Sequence, residues 1–217
     1  MKNLHKFIEQ TNLKPTFHAN DVDVIVNQAA EHNFLGICVP PFWVKKASRE
    51  IGDRDIQLVT VIGFPLGYQM TETKIQEIDL AIRDGADELD IVINVSSFKT
   101  GLPWTKIELA KCTKKIHDSY KLAKVIIETA YLSPKEIEVA CKLCADAGVD
   151  FVKTSTGFAG EGAKVEHIEL MRSVLPSNVG IKASGGIKTY QQTVDLINAG
   201  ADRIGTSSGV EIVAQAK

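Results

Sequence analysis

Three charged side chains interrupt short runs that are otherwise largely apolar: Asp90 in ELDIVIN, Lys153 in FVKTST and Lys182 in VGIKAS. Two amines and a carboxylate brought together supply the parts of amine catalysis, namely a nucleophilic nitrogen, a second cation and a proton shuttle. An amine attacks only when neutral, and bringing a lysine from pKa ~10.4 to ~7 costs about 4.6 kcal/mol. A second ammonium at ~5 Å contributes roughly 3.3 kcal/mol at an effective dielectric of ~20, and partial desolvation can provide the remainder. The competing reading is a buried salt bridge among the same three residues that only holds the fold together. Lys124 and Glu128 in KVIIET could be catalytic or a structural pair beside the site, and structural support is the reading adopted.

These residues meet only if their strands do. Strand-like runs begin near Ile8–Leu13, Gly36–Val39, Leu58–Ile62, Glu88–Ile93, Lys124–Glu128, Phe151–Ser155, Val179–Ala183 and Arg203–Thr206. Amphipathic segments such as TETKIQEIDLAIRDG and SPKEIEVACKLCADAG alternate with them; in the second, Ser133 is the expected N-cap, Pro134 the first helical residue and Glu136 the capping-box partner. Eight strand–helix units in a chain of 217 residues predict a single-domain (β/α)8 TIM barrel spanning residues 1–217.

An internal repeat aligns DGADELDIV, DAGVDFVKT and NAGADRIGT without gaps. Each reads as helix end, glycine and strand, with Gly85, Gly148 and Gly200 suited to positive φ and Asp87, Asp150 and Asp202 in the turns. Asp90, Lys153 and Gly205 each follow their glycine by five residues and should lie at equivalent depths. Successive strand side chains face opposite sides, so if Leu89, Ile91 and Ile93 meet the helices, Glu88, Asp90, Val92 and Asn94 point inward. The same alternation turns Lys153 and Lys182 into the barrel, where charge is costly unless paired. Glycine-rich turns then follow the last three strands, at Thr154–Gly157, Ser184–Gly186 and Gly205–Gly209. Barrel enzymes bind phosphate on such loops, so a phosphorylated substrate is expected there.

Bulk composition narrows the partners. With 25 basic and 27 acidic residues the formal charge is -2, which provides no strong field for nucleic acid or an anionic membrane. The opening MKNLHKFIEQTNLKP lacks the apolar stretch of a signal peptide and no run approaches ~18 apolar residues, so a cytoplasmic protein is expected. Cys38, Cys112, Cys141 and Cys144 suit a reducing compartment. Cys141 and Cys144 form a C-x-x-C inside a predicted helix and read as a packed face. Cys38 is either a small core residue or a target for reactive aldehydes near the site, the former preferred.

The motifs TVIGFPLG (60–67), GADELDIVIN (85–94), KVIIET (124–129), FVKTSTG (151–157), GIKASGGIKT (180–189) and RIGTSSG (203–209) span essentially the whole chain. Together they resemble the deoxyribose-phosphate aldolase family. The resemblance implies a Schiff base on Lys153, with Lys182 tuning it and Asp90 in the proton relay, and it implies no cofactor and no metal. It further implies reversible cleavage of 2-deoxy-D-ribose 5-phosphate to acetaldehyde and D-glyceraldehyde 3-phosphate. Gly157, Gly185, Gly186, Gly205, Ser207 and Ser208 match the family's phosphate-binding turns, and a homodimer is a family-level expectation. Two departures stand out: Ile8–Leu13 reads IEQTNL where the family often has Ile-Asp-His-Thr-Leu-Leu, and Lys217 is reached without the tyrosine-ending tail of some relatives. Alternatives on the same barrel are a phosphate-binding isomerase, another Schiff-base aldolase, or a phospho-sugar-binding module without chemistry.

Overall fold

The computed structural model describes residues 1–101 and 103–215; the C-terminal comparison with tailed relatives falls on residues outside these. Eight parallel strands close into one barrel in sequence order. They are β1 (Ile8–Thr11), β2 (Gly36–Val39), β3 (Gln57–Ile62), β4 (Glu88–Val92), β5 (Leu122–Ile126), β6 (Phe151–Lys153), β7 (Gly180–Ser184) and β8 (Arg203–Thr206). The helices are α1 (Ala19–His32), α2 (Val44–Ile51), α3 (Thr71–Arg83), α4 (Val95–Lys99), α5 (Trp104–His117), α6 (Pro134–Asp146), α7 (Val165–Val174), α8 (Tyr190–Asn198) and α9 (Gly209–Ala214). All eight expected strands are present, and α6 opens with the expected capping box of Ser133 and Glu136 behind Pro134. Asn94, expected to point inward, instead caps α4 by accepting from the Ser97 N–H.

The repeat fixes how strands enter the barrel. Gly85, Gly148 and Gly200 have φ of 110°, 76° and 115°, and each is followed by an aspartate that holds the preceding strand. The Asp87, Asp150 and Asp202 carboxylates accept from the N–H groups of Leu58, Ala123 and Ile181 at 3.1, 2.8 and 2.8 Å. Their own N–H groups donate back to the carbonyls of the same three residues. A fourth member was hidden in the sequence: Asn33, left-handed at φ 53°, stands five residues before Cys38 on β2. Asparagine tolerates that conformation better than most residues, so glycine is not required there.

Strand registers convert this repeat into depth. Cys38 pairs with Val59, Val61 with Asp90, Ile126 with Lys153, Ser184 with Gly205 and Thr11 with Cys38, an advance of two residues for every second strand. Cys38, Asp90, Lys153 and Gly205 therefore form one interior layer from the even strands. Below it lie Glu9, Val59, Lys124 and Lys182 from the odd strands, then Gly36, Glu88, Phe151 and Arg203 at the N-terminal end. In that lowest layer the Arg203 guanidinium sits 4.5 Å from the centre of the Phe151 ring. The interior is divided laterally: Cys38, Val59 and Val61 form a small apolar cluster, while charge occupies the other strands. Outside the barrel, a separate and larger apolar core lies between sheet and helices and includes Cys112, Cys141 and Cys144. These cysteines are free, so the C-x-x-C is a packed helix face as expected.

Candidate active site

The three residues singled out in the sequence do meet. Lys153 Nζ and Lys182 Nζ each lie 2.8 Å from the same oxygen, Asp90 Oδ2, so the two ammonium groups are within about twice that distance of one another. Lys124 Nζ takes the other oxygen, Asp90 Oδ1, at 2.9 Å and reaches Glu88 at 2.6 Å. Lys182 also pairs with Glu9, and Arg203 bridges Glu9 and Glu88 from below. Asp90, Lys124 and Lys182 are wholly buried, and Lys153 nearly so.

Mutual pairing sets the charge states. Burial alone would raise the Asp90 carboxyl; Lys124, Lys153 and Lys182 override it and hold Asp90 well below the ordinary aspartate range. Burial likewise opposes the charge on Lys182, but Asp90 and Glu9 prevail and keep its ammonium well above the usual lysine range. Lys124 moves the same way, against its own burial, through Asp90 and Glu9. Repulsion between the two lysines is thus not the dominant field on Lys182; Asp90 and Glu9 outweigh it. Cys38 shares the layer of Asp90 and Lys153, but burial pushes its thiol up to about 11, which fits the small core residue preferred from the sequence.

Above this network opens a cavity of about 280 Å³ at the C-terminal ends of the strands. Lys153 borders it, whereas Lys124, Lys182 and Asp90 do not. Its other lining residues come from the C-terminal ends of β1, β7 and β8 and from the segments after β1, β6, β7 and β8, including Gly157, Gly185, Gly186, Gly205 and Ser207. Ser208 is not among them: it precedes α9, and its N–H donates to Thr206 Oγ1. Gly157, Gly185 and Gly186 have φ of 85°, 87° and 73°. Among the described residues, the N–H groups of Gly157, Gly186 and Ser207 donate to no protein acceptor. Gly162 packs so closely on the Gly185 carbonyl that an added Cβ would lie 2.0 Å from its oxygen, which stitches the β6 and β7 loops together. Lys14 and Lys188 add exposed cations at the rim.

Sequence reasoning missed Glu9, Arg203, Lys14 and Lys188. The alternation on β8 that turns Gly205 inward also turns Arg203 inward, so that signal was available. The first-strand departure is now located: Glu9 joins the buried network, and Gln10 accepts from the Gly209 N–H at 3.0 Å, tying β1 to the β8 loop. Lys124 and Glu128 do not pair with each other. Lys124 turns to Asp90 and Glu88, whereas Glu128 lies past the end of β5 and accepts from Thr156.

A closed (β/α)8 barrel whose buried lysine network opens onto a cavity at the strands' C-terminal ends defines a barrel enzyme with an amine at its centre. Residues 6–215 match the model of the DeoC/LacD family aldolases. The deoxyribose-phosphate aldolase of Thermococcus kodakarensis is 46% identical over 215 residues, 98% of this chain and 96% of the relative. That of Brevibacillus brevis is 47% identical over 216 residues, covering 99% and 97%. Among solved structures, an aldolase named QR15 superposes with a TM-score of 0.94 at 40% identity, covering 100% and 96%. The deoxyribose phosphate aldolase of Aeropyrum pernix, described as a unique tetramer, gives 0.91 at 32% identity, covering 97% and 89%. The chain belongs to the DeoC/LacD family of aldolases and is a carbon–carbon lyase.

Proposed function

We propose that this enzyme cleaves 2-deoxy-D-ribose 5-phosphate reversibly to acetaldehyde and D-glyceraldehyde 3-phosphate through a Schiff base on Lys153, in the cytoplasmic breakdown of deoxyribonucleosides. The observation that carries the reading is that Lys153 alone of the buried lysine network borders the cavity. Charge matching supports it. Without Lys153, the carboxylates Glu9, Glu88 and Asp90 are balanced by Lys124, Lys182 and Arg203. Lys153 is the cation in excess, so it is the one whose proton the cluster can release with least loss of pairing.

In the mechanism, neutral Lys153 attacks the substrate aldehyde, and loss of water from the carbinolamine leaves an iminium that accepts electrons. Removal of the proton from the 3-hydroxyl, through a water held by Asp90 and Lys182, drives scission of the C2–C3 bond and releases the phosphorylated aldehyde. The C2 carbon of the resulting enamine is then protonated, and hydrolysis frees acetaldehyde and Lys153. The phosphate is received by the N–H groups around Gly157, Gly185, Gly186 and Gly205 with Ser207, and Ser208 supports that turn from outside the cavity lining. Residues 1–217 act as one enzyme domain, a reading supported by the extent of the family match.

Trapping tests the central step. Borohydride reduction in the presence of acetaldehyde should leave an adduct on the peptide containing Lys153, and Lys153→Ala should lose both adduct and cleavage while remaining folded. An adduct on another lysine, or wild-type turnover in Lys153→Ala, would overturn the assignment.

A further inference from the structure

Glu128 stands apart from the lysine network, just beyond β5, in a left-handed conformation with φ 53°. A side-chain-bearing residue holds that backbone at a cost on the order of 1 kcal/mol, so its surroundings must fix it. Its carboxyl is buried, and all of its hydrogen bonding is directed to one turn. Oε2 accepts from the Thr156 N–H at 3.1 Å and from the Thr156 hydroxyl. The same hydroxyl oxygen accepts from the Phe158 N–H at 3.1 Å, so the grip extends across Gly157. Among the described residues, Oε1 has no partner. Thr156, Gly157 and Phe158 all border the cavity, and Phe158 packs edge-on against Phe64, with ring centres 5.2 Å apart.

We propose that Glu128 is a positioning residue for the phosphorylated end of the substrate: by gripping Thr156 it sets the Thr156–Phe158 turn, and with it the Gly157 N–H, at the right distance from Lys153. The proposal rests on the phosphate reading given above. An ionised carboxylate near a phosphate would repel it. Burial pushes the Glu128 carboxyl above the ordinary glutamate range, against the pull of Thr156 and Lys153, and so lessens that repulsion.

The test compares kcat and KM for 2-deoxyribose 5-phosphate and for unphosphorylated 2-deoxyribose in wild type, Glu128→Ala, Glu128→Gln and Thr156→Val. KM and the ratio between the two substrates do not depend on how much of a preparation is folded. Glu128→Ala should raise KM for the phosphorylated sugar at least about tenfold, or ~1.4 kcal/mol, while kcat/KM for 2-deoxyribose stays within about twofold. Glu128→Gln keeps an acceptor oxygen and should restore the ratio to near wild type; Thr156→Val should be intermediate. If Glu128→Ala does not fold, Gln and Val decide, since Val must lower the ratio relative to Gln. A loss shared equally by both substrates, or no change in the ratio, overturns the proposal. A wild type that does not prefer the phosphorylated sugar overturns the phosphate reading itself and this proposal with it. A wild type that does, with variants that keep its ratio, overturns only the role of Glu128.

Discussion

Lys153 and Lys182 have the same side chain and share one carboxylate oxygen, yet their surroundings assign them different work. Although wholly buried, Lys182 has Glu9 as a second partner and so remains an ammonium; among the described residues Lys153 pairs with Asp90 alone, and it meets the cavity. Lys182→Leu removes a positive charge near the attacking amine and leaves Asp90 and Glu9 less balanced, and both changes favour a protonated Lys153. The pH midpoint for borohydride trapping should therefore move upward, by roughly 2 units for a like charge ~5 Å away. Trapping should recover in part at alkaline pH, because hydroxide regenerates the neutral amine, but turnover should not, because the proton relay has lost a member. A trapping profile identical to wild type would show that Lys182 has no influence on Lys153. Removing one partner from a buried cluster also destabilises it, so the series belongs at a temperature where the variant is demonstrably folded.

Elements convert that chemistry into fixed distances, and Gly205 shows how. It shares a layer with Asp90 and Lys153, and a Cβ there would lie 3.0 Å from Lys182 Cε and 3.2 Å from Ser184 Cβ. Because Lys182 is pinned at its far end by Glu9 and Asp90, it cannot swing aside without losing one of them. Gly205→Ala should thus reduce kcat at least about tenfold, the price in rate of ~1.4 kcal/mol of misplacement, with a smaller effect on the melting temperature. Equal losses of stability and rate, or an unchanged kcat, would contradict this. Much of this arrangement was legible in the sequence. Strand alternation gave the inward faces of Asp90, Lys153 and Lys182, and the repeat gave the equal depth of Asp90, Lys153 and Gly205. Alternation says nothing reliable about Glu128, because it assumes that the chain continues as a strand, and the backbone has already turned to positive φ there. The repeat concealed Cys38 because Asn33 replaces glycine and no aspartate follows. Glu9 was read only as a departure, since its partners Lys182 and Arg203 lie 173 and 194 residues away in sequence.

Across the whole molecule, the interior cluster joins β1, β4, β5, β6, β7 and β8, so the charge state of the site and the stability of the barrel are linked. Burial would raise the carboxyls of Glu9 and Asp90, but the surrounding lysines, with Arg203 beside Glu9, prevail and hold both below their ordinary values. A depressed carboxylate contributes stability that is fully present above its unfolded pKa, ~4.3 for Glu and ~3.9 for Asp, and is lost as pH falls through the lower folded value. Barrel stability should therefore be insensitive to these groups near pH 7 and fall below about pH 4 as they take up protons. Glu9→Gln isolates one of them. At neutral pH the variant should be less stable by a few kcal/mol, about 3–5 by analogy with other broken buried pairs, because Lys182 loses a partner and Arg203 retains only Glu88. Between pH 4 and 3 its stability should fall less steeply than that of wild type, by at most about 1.4 kcal/mol per pH unit for the one proton no longer taken up. Denaturant midpoints measured at pH 7, 5, 4 and 3 on both proteins supply the comparison. Parallel curves would mean that the Glu9 carboxyl is not depressed in the folded barrel, and the assignment of Lys182 as a permanently charged member of the cluster would lose its main support.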